Sequence, residues 1–277
     1  MIENIFNIIA KSAPLIRNEL RTRRDSSTTQ NPTGDAQLAA DIWADNLFAK
    51  KILEIDGVGS YASEEREDVL ISGEGLSVAI DPLDGSSNLL SNNMIGTIVG
   101  VYDSPLPTSG TNLIAAAYVL YGPITTMVTA HSGSVNEYII DQGQLQPLRE
   151  NITLPKTPQL YGFGGLEKEW KPHFKKYADS IRTKLKLRYG GSLISDINQI
   201  LTYGGVFAYP DLLSSPTGKL RILFEAHPVA YIIESAGGLS SNGDVSILDL
   251  SPDALHDRTP LYVGNKNLIE ELSTFYQ

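Results

Sequence analysis

Asp81-Pro82-Leu83-Asp84-Gly85-Ser86-Ser87-Asn88 is the segment best equipped for chemistry. Val78 and Ile80 read as a strand that ends at Asp81, and a second carboxylate follows three residues later across a proline turn. Gly85 permits a tight backbone, and Ser86 and Ser87 can open a helix whose free N–H groups favour an anion. Two hard oxygen ligands thus stand beside a phosphate cradle. Mg²⁺ suits that pairing, because it binds through a few carboxylates and phosphate oxygens while keeping several waters. An Asp-Gly pair alone would be an ordinary turn at a strand end, whereas the whole string points to a site.

Other acids and cations are placed to join it. Glu64 and Glu65 follow Tyr61-Ala62-Ser63, although Glu67 and Asp68 nearby also fit a solvated acidic surface. In Lys219-Leu220-Arg221-Ile222-Leu223-Phe224-Glu225, a strand would turn Leu220, Ile222 and Phe224 to the core. Lys219, Arg221 and Glu225 would then share the other face. They fit a surface salt-bridge ladder and a grip on phosphate and metal equally well. Asp41 and Asp45 lie at the border of an apolar stripe, where acids are as often boundary residues as functional ones.

The elements that must position these groups can be read from periodicity. Residues 1–24 and 35–55 read as helices, the second with Leu38, Ile42, Ala49 and Ile52 near one face. Between them, Asp25 to Gly34 is a polar, Pro/Gly-punctuated loop, either a plain connector or a flap. Strand patterns cover 77–81, 96–102, 115–121 and 125–130. The Gly/Pro-rich stretch 142–165 divides the chain into two halves, 1–145 and 146–277. Beyond it, 192–203 is a helix capped by Ser192 and stopped by Gly204-Gly205, and 228–236 is another with Pro228 in its first turn. The mixture predicts a layered fold, α/β to α+β.

Composition narrows the chemistry. The 277 residues carry 22 Lys and Arg against 32 Asp and Glu, a formal charge of −10. That balance argues against nucleic acid as a partner and against anionic membranes. There is no cysteine, and four scattered histidines do not make a multi-His metal site, so any metal must sit on oxygen ligands. The N-terminus lacks the basic region of a signal peptide, and no apolar run approaches the roughly 20 residues that span a bilayer. The expected location is cytoplasmic.

Taken in order, these motifs resemble class I fructose-1,6-bisphosphatase. The resemblance rests on Ser63-Glu64-Glu65, the 81–88 string, Gly96-Thr97-Ile98-Val99-Gly100-Val101-Tyr102, Arg188-Tyr189-Gly190-Gly191-Ser192, Tyr203 to Pro210 and Gly218 to Glu225. It runs from about Asn31 to Gly264. It implies the α-β-α-β-α layered fold of the sugar-phosphatase superfamily. It also implies Mg²⁺-dependent hydrolysis of the 1-phosphate of fructose 1,6-bisphosphate in gluconeogenesis, with two or more metals and Mn²⁺ as a substitute. By resemblance, Asp35, Glu64, Asp81, the Leu83 carbonyl, Asp84 and Glu225 are metal ligands, and Asp41 and Glu65 activate the attacking water. Asp84, Gly85, Ser86 and Ser87 hold the reacting phosphate, with Arg221 nearby. Tyr189, Tyr209 and Lys219 grip the distal phosphate and sugar. Arg188 matches an arginine that reaches a neighbouring subunit's site, which implies a homotetramer or homodimer.

The segment Tyr161 to Glu167 departs from that pattern. It lacks the Asn and Tyr, three apart, that in the family help to bind the 6-phosphate, so sugar preference is open to change. Gly73-Glu74-Gly75-Leu76 stands where many members carry a Lys-Tyr pair for AMP, and only 40 residues precede Asp41, so AMP inhibition of the usual kind is not expected. Sedoheptulose-1,7-bisphosphatase and inositol-monophosphatase-like activities are the neighbouring alternatives. Phe224-Glu225-Ala226-His227-Pro228 in place of the monophosphatases' Trp-Asp pair favours a bisphosphatase. A catalytically silent sugar-phosphate sensor is the remote alternative.

Overall fold

The computed structural model describes residues 1–23, 26–32, 34 and 36–276, without the side chains of 26–29, 36 and 37. Helix α1 (Ile2–Glu19) buries Ile5, Phe6, Ile9, Ala10, Ala13 and Ile16, the stripe expected of an amphipathic helix on a sheet. Strands β1 (Ser26–Gln30) and β2 (Ala36–Leu38) then pair antiparallel. The polar segment after α1, read as a loop, therefore contains a strand, and helix α2 (Ala39–Ile52) begins four residues later than its periodicity suggested. The late start has a local cause. Leu38 is extended, and its N–H donates to Asp41 Oδ2 at 2.6 Å, so the acid caps the helix it belongs to.

An eight-stranded sheet follows, in the order β10-β9-β8-β7-β6-β5-β3-β4. Its strands are β3 (Val58–Ser63), β4 (Leu70–Ile71), β5 (Leu76–Asp84), β6 (Ile95–Tyr102), β7 (Leu113–Tyr121), β8 (Thr125–His131), β9 (Ser134–Asp141) and β10 (Gln144–Arg149). Only β3 and β5 are parallel; the other pairs are antiparallel. Strand β10 lies inside the stretch read as a divider, so the true break between the sheets is the irregular run from 150 to 159.

The second sheet has the order β12-β11-β13-β17-β15, built of β11 (Leu160–Phe163), β12 (Lys186–Leu187), β13 (Gly205–Tyr209), β15 (Leu239–Ser241) and β17 (Leu261–Gly264). Helices α4 (Leu193–Tyr203) and α5 (His227–Ser235) lie between the sheets, and α3 (Pro172–Arg182) and α6 (Lys266–Ser273) cover the far side. A short pair, β14 (Leu220–Arg221) with β16 (Arg258–Thr259), completes the description.

Side-chain alternation gives the layering. Along β7, Ala115, Ala117 and Val119 pack with α1 and α2, while Ala116, Tyr118 and Leu120 pack with α4 and α5. The second sheet likewise turns Phe207, Leu261 and Val263 inward and Phe163, Val206, Ala208 and Tyr262 outward. The order is helix, sheet, helix, sheet, helix, as the resemblance implied. Both sheets are covered on both faces, which is why the strands read as apolar runs more than as alternating ones. Among the described residues no helix is long and apolar enough to cross a membrane.

Candidate active site

The end of β5 sets the site. In a regular strand, residues three apart face opposite sides. Here Asp81 pairs with Ile98 and Asp84 with Gly96, and the register is broken between them. Pro82 has no N–H for the ladder, and an irregularity at such a position re-aims the chain. The carbonyl of Pro82 is held instead by Thr97 Oγ1 at 2.8 Å, and Asp81 Oδ1 accepts the Leu83 N–H at 3.0 Å. Both carboxylates are thereby delivered to one place.

Gly85 follows with φ 71°, leading into a short 3-10 helix, Ser86–Leu89. A Cβ at Gly85 would lie 2.4 Å from Ser192 Cβ, so the cradle and the start of α4 touch in a way only glycine allows. Asp84 locks the same junction. It accepts from Ser192 Oγ at 2.7 Å, Leu193 N at 3.1 Å and Ile194 N at 2.7 Å, placing a negative charge on the N-terminus of α4.

Glu64 and Glu65 come from the turn after β3. The turn is braced by Asp45, which accepts Tyr61 Oη at 2.9 Å and pairs with Arg66 at 2.8 Å. Asp45 thus has a structural task that its sequence position did not reveal. Glu225 arrives by a different route from the alternation expected of residues 219–225. The strand stops at Arg221, and Ile222–Ala226 form a π-helical turn. The turn folds Glu225 back so that its Oε2 accepts the Arg221 N–H at 2.7 Å. Arg221 is buried with them, its Nη1 at 2.8 Å from Glu64 Oε1 and 3.8 Å from Glu225 Oε2.

Glu64, Asp81 and Glu225 each offer an oxygen, and these oxygens lie within 4.8 Å of one another. Burial is the main force on these three acids and on Asp84 beside them, and it pushes each above its usual range. For Glu64 the next cause is the charge of Glu225, with Arg221 opposing; for Asp81 it is Glu64. Asp84 and Glu225 are also raised, against hydrogen bonds to the first and Arg221 beside the second. Asp41, buried and close to Ser86, is pushed up to about 7 by burial and then by the charge of Glu65. A set of hard oxygen donors that resist ionisation together is a fitting seat for a divalent cation, whose charge would relieve each cause.

Two adjoining cavities share Asp84, Gly85, Ser87, Lys219 and Glu225. One, about 280 Å³, also holds Asp41, Glu64, Glu65, Asp81, Leu83 and Ser86. The other, about 210 Å³, is walled by Tyr189, Phe207 and Tyr209. The Tyr189 ring lies parallel to that of Phe207, with centroids 6.5 Å apart, and Lys219 Nζ sits 5.5 Å from the Tyr209 ring centre. Tyr209 rests directly on Gly164, where a Cβ would meet its Cδ2 at 2.3 Å. Tyr161 and Phe163, from the segment that departs from the family pattern, are buried in the outer core and line neither cavity.

Not every expected residue joins the two cavities. Arg221 lies behind them, tied to the acids. Arg188 is exposed, with Nη1 3.2 Å from Gln199 Oε1 and its guanidinium over the Tyr203 ring. Asp35 lies outside the described residues. Two further residues were not picked out from sequence. Asn88 Nδ2 donates to Gly190 O at 2.9 Å and so ties the cradle to the 188–191 turn. Asp196, on the first turns of α4, reaches the wall of the second cavity and is pushed up to about 7, chiefly by burial. The signal for it was present, since an acid two turns or less after a Ser cap commonly serves a helix start, but that reading stops at capping.

Comparison with known proteins agrees along the whole chain. The description "Fructose-1-6-bisphosphatase, N-terminal domain" matches residues 2–146, and "Fructose-1-6-bisphosphatase, C-terminal domain" matches 154–277. The class 1 fructose-1,6-bisphosphatase of Haloarcula marismortui is 54% identical over 271 residues, 98% of this chain and 93% of the relative. That of Geobacter sulfurreducens is 40% identical over 268 residues, 94% of this chain and 86% of the relative. The fructose-1,6-bisphosphatase of Leishmania major in its holo form superposes with a TM-score of 0.91 at 31% identity, covering 98% of this chain and 93% of that one.

Proposed function

The chain belongs to the class 1 fructose-1,6-bisphosphatase family, and from that premise we infer that it is a phosphatase removing the 1-phosphate of fructose 1,6-bisphosphate to give fructose 6-phosphate. The observation that carries this reading is the convergence of Glu64, Asp81 and Glu225 beside the Gly85–Ser87 cradle. Acids without such a cradle would suit simple cation storage, and a cradle without acids would suit anion binding alone.

The cofactor is a divalent metal, and Mg²⁺ is the ion we assign, with Mn²⁺ able to substitute. Glu64, Asp81, Asp84, Glu225 and the Leu83 carbonyl, with Asp35, would hold two or more such ions, which offset the charge of acids and phosphate and acidify the attacking water. The remaining tasks fall to the chain itself. Asp41 and Glu65 hold the water and take its proton; a base poised near neutrality is suited to this, and Asp41 is pushed to about 7. The N–H groups and hydroxyls of Gly85, Ser86 and Ser87 meet the charge spread over the phosphoryl oxygens. Lys219, common to both cavities, balances charge between the two ends of the substrate. Tyr189 and Tyr209 enclose the sugar, and Arg221, paired with Glu64 at 2.8 Å, would supply positive charge near the reacting phosphate.

Arg188 is assigned to the site of a second copy, which requires a homodimer or homotetramer. The halves 1–145 and 146–277 divide the work: the first supplies most acids, the second the sugar grip. AMP is expected not to inhibit in the family's usual way, and strong inhibition at micromolar AMP would overturn that.

The test is phosphate release from fructose 1,6-bisphosphate, sedoheptulose 1,7-bisphosphate and inositol 1-phosphate in parallel, with Mg²⁺ and with EDTA. The expected result is metal-dependent release, greatest for the first. Equal or greater release from sedoheptulose 1,7-bisphosphate would reassign the sugar, and binding without any release would reduce the protein to a sensor.

A further inference from the structure

Glu64 and Glu225 reach the cluster of acids on two separate turns, one from each half of the chain. The first turn is tied to α2 by the Arg66 side chain, whose Nη2 lies 2.8 Å from both Asp45 Oδ2 and Asn46 Oδ1. On its other side the Arg66 carbonyl oxygen lies 2.8 Å from His256 Nε2. A carbonyl can only accept, so Nε2 carries the ring proton and donates it. Burial pushes the pKa of this ring below its usual range; the bond to Arg66 opposes the push, and the charges of Arg221 and Arg258 add to it. Nδ1 is buried and meets no hydrogen-bond partner among the described residues. The same ring packs on Phe224, with centroids 5.4 Å apart, in the π-helical turn and next to Glu225. His256 belongs to neither turn, yet it touches the residue two after Glu64 and the residue just before Glu225. Its own position is fixed by Asp257, whose Oδ2 accepts the N–H groups of Asp253 at 2.8 Å and Ala254 at 3.0 Å and whose carbonyl accepts the Ile222 N–H at 2.8 Å. Such a spacer answers a physical need, because the charge of Glu225 opposes ionisation of Glu64 and would drive the two turns apart. Arg221 offsets that repulsion from inside the cluster, and His256 restrains the turns from outside it without adding charge.

We propose that His256 is a positioning residue for the metal seat: its Nε2–H on the Arg66 carbonyl and its ring on Phe224 hold the Glu64 and Glu225 turns at the spacing a divalent cation needs. This rests on the assignment of Glu64 and Glu225 as metal ligands. A residue that only filled space would need no donor, and a residue that only satisfied a carbonyl would need no ring against Phe224.

His256→Phe keeps a ring against Phe224 and removes the donor, whereas His256→Gln keeps a donor for the Arg66 carbonyl. Mn²⁺ binding without substrate would be followed through the EPR signal of the free ion. Steady-state kinetics with fructose 1,6-bisphosphate and melting curves in EDTA would be recorded alongside. H256F should bind Mn²⁺ about tenfold more weakly and need correspondingly more Mg²⁺ for half-maximal rate, with KM for the sugar bisphosphate at saturating Mg²⁺ close to native. H256Q should recover most of the Mn²⁺ affinity. A residue that only packs would lower the melting temperature in EDTA and leave the affinity alone. Native Mn²⁺ affinity in H256F, or the same loss in H256F and H256Q, would therefore overturn the proposal. Should H256F not fold, His256→Leu, which also lacks a donor, is judged by the same measurements. The two readings fail differently: hydrolysis by the native enzyme that survives EDTA removes the metal reading itself, whereas metal-dependent hydrolysis with unchanged Mn²⁺ affinity in H256F removes only the assignment of His256.

Discussion

At the scale of single residues, the site is a set of charges held apart from solvent. Removing one metal-ligand charge by Asp84→Asn or Glu225→Gln should cut kcat by orders of magnitude, whereas Lys219→Ala should mainly raise KM, the pattern of lost substrate binding. Near-native turnover of Asp84→Asn in saturating Mg²⁺ would show the ligand assignment to be wrong. The raised acids also set a pH dependence. A group whose pKa is higher folded than unfolded contributes stability below its unfolded value, and that contribution is lost as pH rises through the folded value. For Asp41 and Asp196 the window runs from about 4 to about 7, and the raised Glu64, Asp81, Asp84 and Glu225 act in the same direction. The metal-free protein should therefore melt at a higher temperature at pH 5 than at pH 8. Mg²⁺ should reduce or reverse that difference, with protons released on binding. Melting curves in EDTA that rise from pH 5 to pH 8 would contradict it.

At the scale of elements, the decisive contact is between the cradle and α4. Gly85→Ala adds a Cβ 2.4 Å from Ser192 Cβ at a backbone conformation unfavourable to alanine. The expected cost is about 2–4 kcal/mol of stability in urea unfolding, with activity lost through displacement of the Ser86–Ser87 turn. A variant as stable and active as the native protein would mean that the junction yields. Elements with one strong local signal were legible in the sequence: α4 through its Ser192 cap and Gly204-Gly205 stop, α5 through Pro228, and the strands from Leu76 to His131 through their apolar runs. Those decided by neighbours were not. The π-helical turn at Ile222–Ala226 has the alternation of a strand, but the pull of Glu225 back to the Arg221 N–H overrides it. Strand β10 hides behind Pro147 and polar residues because it is an edge strand with little to bury. Asp196 was passed over because nothing in its spacing tells a cap from a residue that faces a cavity. Asp81 and Asp84 could be named from sequence, but their meeting depends on the break in register that Pro82 causes.

At the scale of the whole molecule, the middle layer is shared property. One face of the eight-stranded sheet is covered by α1 and α2, which precede it in the chain, and the other by α4 and α5, which come more than forty residues after its last strand. The two stretches that match separate family descriptions meet across those helices, with Ala62, Ala79, Ile98, Tyr118 and Val128 on one side and Phe207, Leu261 and Val263 on the other. Truncation is therefore a poor way to simplify this protein. A fragment ending at residue 146 would present the whole inner face of its sheet to water, an apolar area that monomeric proteins do not leave open, and should be recovered as aggregate. Co-expression with a fragment beginning at residue 154 should restore solubility and, with it, the phosphatase, because the acids and the sugar wall exist as one site only when both pieces close on the same pair of helices. A soluble, monomeric 1–146 fragment would show that the sheet can shield itself and that the middle layer is an addition rather than a requirement.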